Sequence, residues 1–315
     1  KRGYNFSTKS DTEVLIKLYD LHKENFFELL EGMWSFAIFD TENLNLILSR
    51  DRFGEKPLHI LKTQDGVYFG SETKFIEALS SNKQPINENK ILNYLSYGYN
   101  SVSLDAKSFK KNIYSLKPAS VLTIKDDLSI KEKKYWNLKK NLKNNNNKIN
   151  KKEIYEEVRY KIIQGLKIRL RSDVKNIFCL SGGIDSGSIV SIAAKKFNLN
   201  VDTFSIIDTL SPKYNEKHLI EHTLRDTGAN KNYLFTEKIK LFDNIEKIIE
   251  YYNAPVLTIN YLLHALMQKQ IKELGYKVVL SGNGADEIFA GYYDHYLYHL
   301  KDLIDNYSEG IFKAN

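Results

Sequence analysis

Cysteine is nearly absent: the 315 residues contain one, Cys179. An internal disulfide framework is therefore excluded, and the usage fits a reducing, cytoplasmic setting. No apolar run approaches the length of a transmembrane helix, so no membrane partner is expected. Neither Gly-Lys-Ser nor Gly-Lys-Thr occurs, which argues against γ-phosphoryl transfer through a lysine-bearing phosphate loop. The net charge is +7 at pH 7, yet no compact arginine-rich patch carries it. The excess is lysine scattered among asparagines, as over 139–152, and nucleic acid is not expected as a partner. What the chain does have is length for two domains and 42% hydrophobic residues, ample for real cores.

One stretch organises the rest: Ser181-Gly182-Gly183-Ile184-Asp185-Ser186. Before it, Asn176-Ile-Phe-Cys-Leu180 reads as a short buried strand. After it, 187–194 reads as a packed helix. Strand, glycine turn and helix start together make an anion site. Glycines let the backbone take positive φ and let an anion approach the amides. The helix adds free N–H groups and its positive dipole end. Ser181 and Ser186 add hydroxyls, and the Asp185 carboxylate suits magnesium. This pattern looks like the pyrophosphate loop of enzymes that split ATP between its α and β phosphates.

In chain order, Ser10-Asp11-Thr12-Glu13 has capping-box spacing and predicts a helix over about 12–30. Strands are predicted at 33–39, 44–48, 67–69, 121–124 and 134–136, with helices over 71–79 and 88–97. The segment Arg50 to Leu58 reads as a specific loop held by Arg50 and Arg52. A boundary rich in asparagine and lysine is expected over 142–152, separating a first domain (1–140) from a second (150–315). From helix 152–170 onward, strands at 176–180, 201–207, 232–235 and 277–280 alternate with helices at 215–224, 239–252 and 261–274. Such alternation predicts a parallel sheet covered on both faces, with ligands at the carboxyl ends of its strands.

A second loop, Ser281-Gly282-Asn283-Gly284-Ala285-Asp286-Glu287, repeats the design of the first. Two such loops at strand ends are expected to converge on one nucleotide. Asp185 and Asp286 would then share magnesium over a leaving pyrophosphate.

At this point the residues resemble the glutamine-hydrolysing asparagine synthetase family. The likeness runs in order through Ser10–Val14, Gly32–Ala37, Arg50–Leu58, Ser71–Glu72, Lys134–Trp136, Arg171–Val174, Ser181–Ser186 and Ser281–Tyr292. It implies an α/β chain in two parts. The first is the C-terminal part of an N-terminal-nucleophile (αββα) glutamine amidotransferase domain. The second is a doubly wound, parallel-sheet ATP pyrophosphatase domain of the adenine nucleotide alpha hydrolase type. The implied partners are small molecules: glutamine, ATP with magnesium, and aspartate or another carboxylic acid. A homodimer is compatible with it. Position by position, Asp11 would hold the α-amino group of glutamine. The backbone at Cys179 and Ile206 would contact the adenine side of ATP. Ser181, Gly182, Gly183, Asp185, Ser186, Ser281 and Gly282 would bind the nucleotide, and Asp185 and Asp286 the magnesium.

Two departures accompany the likeness. The family's amidohydrolase nucleophile is an N-terminal cysteine, and no counterpart exists here, since Cys179 belongs to the other domain. The chain as given is expected not to hydrolyse glutamine, and to be a segment of a longer protein. Asn283 stands where the family carries glutamate, and an asparagine cannot take a proton near neutral pH. The leading expectation is an AMP-forming amidation of aspartate. The alternatives are the same chemistry on another acceptor, such as a sugar uronic acid, and a non-catalytic nucleotide-binding remnant.

Overall fold

The fold is that of a computed structural model, which describes residues 4–99, 102, 105–138 and 150–306. Two compact units divide the chain at 146/147, and Lys247–Thr258 groups with the first. The boundary expected over 142–152 lies outside the described residues up to 149.

The first unit holds two antiparallel sheets. One is ordered β1 (Ser35–Asp40), β2 (Asn45–Arg50), β6 (Ser120–Ile124), β7 (Ile130–Lys134). The other is ordered β4 (Val67–Gly70), β3 (His59–Lys62), β5 (Ile113–Ser115). The period-2 alternation of strands decides the layering. Ile47 and Val121 face a cluster with Tyr19, Phe26 and Phe27, while Leu48 and Leu122 on the same strands face Leu58 and Ile60. Leu61, the neighbour of Ile60, faces Ile76 of helix α2 (Thr73–Leu79), which α3 (Glu88–Tyr97) follows in the chain. The layers therefore run helix, sheet, sheet, helix, the αββα arrangement that the resemblance implies.

Helix α1 is shorter than its pattern predicts. It covers Asp11–His22, and Lys23, at φ 47°, ends it. A 3₁₀ segment then runs Lys23–Leu29. The break lets the adjacent Phe26 and Phe27 both enter the core, at 0% and 2% exposure, with ring centroids 4.3 Å apart. Ser10 caps the helix through the Thr12 N–H, but Glu13 does not close a capping box on Ser10. Its carboxylate accepts instead from the backbone of Ser7 and Thr8. Strand β3 follows directly on the polar Arg50–Leu58 loop and escapes a reading by composition. The last strand of the unit ends at Lys134, so Tyr135 and Trp136 lie beyond it.

The loop between β2 and β3 is built on two charged side chains. Arg50 donates to the carbonyls of Lys56, Leu116 and Gly54 at 2.8, 2.7 and 2.6 Å. Asp51, 1% exposed, accepts from the amides of Phe53, Glu55 and Lys56 at 2.9–3.0 Å. Arg52 does not hold this loop from within. It reaches away from it to the Glu28 carbonyl, at 3.0 Å, and lies over Trp136.

The second unit is a four-stranded parallel sheet ordered β10 (Asn230–Phe235), β9 (Asp202–Ile207), β8 (Asn176–Cys179), β11 (Val278–Leu280). One face packs on Leu166 of α4 (Lys151–Arg169), Val190 of α5 (Ile184–Ser191) and Ile220 of α6 (Lys217–Thr227). The other packs on Met267 and Ile271 of the helix Ile259–Glu273. Both faces are covered, so the sheet is doubly wound.

Candidate active site

The order of the sheet locates the site. The chain steps from β8 outward to β9 and β10, then returns to lay β11 on the other side of β8. The reversal falls between β8 and β11, where Leu280 pairs with Phe178. In open α/β sheets the crevice at such a point, beyond the carboxyl ends, is where ligands bind. The two strands that flank it are the two that feed Ser181–Ser186 and Ser281–Glu287.

Ser186 is the hub of the first loop and is 7% exposed. Its Oγ accepts the Ser181 N–H at 3.0 Å and lies 2.8 Å from the Ser181 Oγ. It also reaches the carbonyls of Ser181 and Gly183 at 3.3 and 3.2 Å. The Ser181 Oγ accepts the Gly183 N–H at 3.2 Å. Both hydroxyls thus hold the loop closed on itself, a role the sequence pattern does not distinguish from anion binding. The helix starts at Ile184, three residues before its expected start, and Gly187 is the residue whose N–H returns to the Gly183 carbonyl. The amides of Ile184, Asp185 and Ser186 fall among the first-turn donors that an α-helix leaves unsatisfied.

The glycines serve packing rather than positive φ. Neither Gly182 nor Gly183 has positive φ, and Gly183 sits at φ −76°. A Cβ on Gly182 would meet Glu216 and Leu219 at 2.9 Å. A Cβ on Gly282 would meet the Asp185 Cβ and the Ser186 N at 2.9 Å. The second loop is therefore seated on the first, at the amides that open α5. Gly284, at φ 94°, is the glycine in this region that needs its conformational freedom.

Asp185 is half-buried in the first turn of α5. Asp286 lies in the first turn of the short helix Ala285–Phe289, and its carboxylate lies over Gly291, where any side chain would collide with it. Among the described residues no three His, Cys, Asp or Glu side chains form a ready-made metal site. Magnesium does not need one, because it is ordinarily held by one or two carboxylates plus substrate phosphates. Asp185, a hard carboxylate in the first turn of α5 beside amides the helix leaves unsatisfied, fits that pattern, whereas the Asp286 carboxylate is turned to Gly291.

Cys179 ends β8 and packs beside Met267, sulfur to sulfur 4.0 Å. Burial pushes its thiol up to about 11, so it stays protonated and behaves as a small core side chain. Ile206 lies on β9, beside Leu234 of β10, in the same cluster as Cys179. Ser281 and Asn283 are exposed in the second loop. Asp11 is not part of this site. It lies in the first unit, in the opening turn of α1, and lines a cavity of about 650 Å³ with Leu15, Trp34, Lys56 and Ser71. Several of the separately matched segments thus meet at one cleft.

Sequence reading missed Glu216. Its carboxylate accepts the Gly182 N–H at 2.8 Å across 34 residues of sequence. The one available signal is an acidic residue at the start of the helix predicted over 215–224; nothing in the spacing ties it to the loop.

Both parts of the chain resemble known proteins. Residues 1–136 match the glutamine amidotransferase domain family, and residues 157–308 match the asparagine synthase family. Asparagine synthetase [glutamine-hydrolyzing] 1 of Bacillus subtilis is 32% identical over 293 residues, 92% of this chain and 44% of that protein. A putative asparagine synthetase [glutamine-hydrolyzing] 2 of Methanocaldococcus jannaschii is 29% identical over 96% of this chain and 58% of that protein. Amidase chyE of Penicillium rubens is 26% identical over 92% of this chain and 44% of that protein. The chain spans about half the length of the curated relatives it matches. With a glutamine amidotransferase region followed by an asparagine synthase region, it belongs to the glutamine-hydrolysing asparagine synthetase family.

Proposed function

We propose that the protein is an ATP-dependent, AMP-forming amidotransferase whose simplest acceptor is aspartate. The observation that carries this reading is the seating of Gly282 against Asp185 and Ser186 at the strand-order reversal. The acceptor carboxylate attacks the α-phosphorus, the α–β phosphoanhydride bond breaks, and pyrophosphate leaves. Ammonia derived from glutamine then attacks the acyl carbon, AMP departs, and the proton of the attacking nitrogen passes to a base. The amides and dipole of α5 face the phosphates, where negative charge concentrates. Gly182, Gly183 and Ser186 shape that loop, and Ser281 and Gly282 close it. The backbone at Cys179 and Ile206 borders the adenine. Asp185 and Asp286 would hold magnesium, which neutralises charge on the leaving pyrophosphate when bound. In the first unit, the Asp11 carboxylate would pair with the α-amino group of glutamine.

A second reading keeps the chemistry and changes the acceptor. Asn283 favours it, because an amide cannot serve as the base that a glutamate at this place provides. The likeness to proteins named as amidases supports it as well. Product analysis tests both readings: each predicts AMP and pyrophosphate, and formation of ADP and phosphate rejects both. The acid that supports turnover then separates them.

A further inference from the structure

The assignment of Ser181–Ser186 as a phosphate loop leaves Glu216 unexplained. It is the N-cap residue of α6, yet its side chain makes no capping hydrogen bond. Asn215 satisfies the start of the helix instead, its Oδ1 accepting the Lys217 N–H at 3.0 Å. Glutamate is also not among the residues that helix N-caps favour. An acidic group near a helix start is favourable through the dipole, but the dipole does not aim it at a particular amide. Here it is aimed: Oε2 lies 2.8 Å from the Gly182 nitrogen.

The aim is reinforced by packing. Ile220 and Leu224, at 1% and 5% exposure, fix α6 to the core that also contains Leu180 and Val190. Gly182 has no Cβ, and one placed there would stand 2.9 Å from both Glu216 Cβ and Leu219 Cδ1. The backbone of the loop and the first turn of α6 are therefore in direct contact. A side chain at 182 would push them apart and break the hydrogen bond.

We propose that Glu216 is a positioning residue for the phosphate loop. By accepting the Gly182 N–H it fixes the peptide between the buried strand and the serine hub, and so sets the direction of the amides that follow. It acts through Gly182 and touches no reacting atom. The inference rests on the nucleotide reading above and specifies which side chain outside the loop gives the loop its shape. A neutral acceptor suffices for this role, because what matters is the hydrogen bond and not the charge.

The test is binding of ATP, pyrophosphate and AMP to the purified protein with magnesium, by calorimetry, for the wild type, Glu216→Ala and Glu216→Gln. Glu216→Ala is expected to bind ATP and pyrophosphate about tenfold more weakly, the upper end of what one ordinary hydrogen bond contributes. Its affinity for AMP, which lacks the β and γ phosphates, stays within about twofold. Glu216→Gln keeps an acceptor and restores ATP binding to the wild-type level or better. Melting temperatures of the three proteins are expected to agree, since the side chain is exposed and caps nothing. Equal ATP affinity in wild type and Glu216→Ala overturns the proposal. So does tighter pyrophosphate binding in Glu216→Ala, which would make the carboxylate a competitor for the anion. Failure of Glu216→Gln to rescue overturns it too, because charge would then be the requirement. If the wild type binds neither ATP nor pyrophosphate, the nucleotide reading falls and the inference falls with it.

Discussion

Gly282 lies so close to Asp185 that a methyl group on it would stand 2.9 Å from the Asp185 Cβ and 2.9 Å from the Ser186 nitrogen. Two loops far apart in the sequence thus share one small volume at the opening of α5. One of the two obstacles is backbone, so a side chain at 282 must move a loop and not merely a rotamer. Gly282→Ala is expected to weaken ATP binding by at least about tenfold, with a modest loss of thermal stability. Gly66→Ala, where an added Cβ meets nothing within 4 Å, is the matched control and should change neither. Calorimetric titration with ATP checks both variants, and unchanged binding in Gly282→Ala would show that the loops do not need this approach.

Asp185 is expected to matter for turnover far more than for folding. Its carboxylate sits in the first turn of α5, where the dipole favours it by about 0.3–1 kcal/mol. Asp185→Asn should therefore melt close to the wild type while losing magnesium-dependent turnover. Chelation of the metal should have the same effect on the wild type. Retained activity in the folded variant would remove Asp185 from the metal assignment.

The first unit carries an acid-sensitive group. Asp40, 7% exposed, accepts from the Tyr19 hydroxyl at 2.6 Å and from the side chain and backbone of Asn43. The Tyr19 hydrogen bond is the largest cause that holds its carboxyl well below the usual range. A depressed folded-state value means that Asp40 stabilises the fold at pH above its unfolded value of about 3.9. That contribution is lost as pH falls below this value toward the folded one. Denaturant unfolding at pH 7 and pH 3 should show wild type more stable than Asp40→Asn at pH 7, with the gap narrowing at pH 3. A gap that widens on acidification contradicts the sign.

Cys179 should be chemically quiet. Its thiol is pushed up to about 11 by burial, so little thiolate exists near neutrality. Alkylation of the folded protein at pH 7.5 should be slow and should accelerate on unfolding. Cys179→Ala should cost on the order of 1 kcal/mol and leave nucleotide binding unchanged, because the proposed contact with the adenine side uses only the backbone at this position. Rapid alkylation with loss of binding would place the thiol itself at the site.

Periodicity made most elements legible. Alternation of Ile47 with Leu48, and of Val121 with Leu122, marks strands buried on both faces. The change to alternating strand and helix after the boundary marks the parallel sheet. The Ser181–Ser186 pattern is readable because glycine and serine after a buried strand have few other uses. What escaped depends on contacts between distant residues. The break at Lys23 follows from burying Phe26 and Phe27 together, which a helical wheel does not reveal. Strand β3 adjoins a loop whose polarity belongs to Arg50 and Asp51. The reasons for Gly182 and Gly282 lie in the neighbours they touch, not in their own dihedral angles. Glu216 pairs with an amide 34 residues away, and no local pattern encodes that.

The central claim is acyl-adenylate formation at the reversal between β8 and β11. Exchange of radiolabelled pyrophosphate into ATP tests it most directly, with magnesium and one carboxylic acid at a time, aspartate first. The account predicts exchange that requires a specific acid and disappears in Asp185→Asn. Exchange with aspartate establishes the β-aspartyl adenylate despite Asn283, and exchange with another acid alone moves the same mechanism to that acceptor. Absence of exchange with every acid, in a protein that binds ATP, contradicts the account.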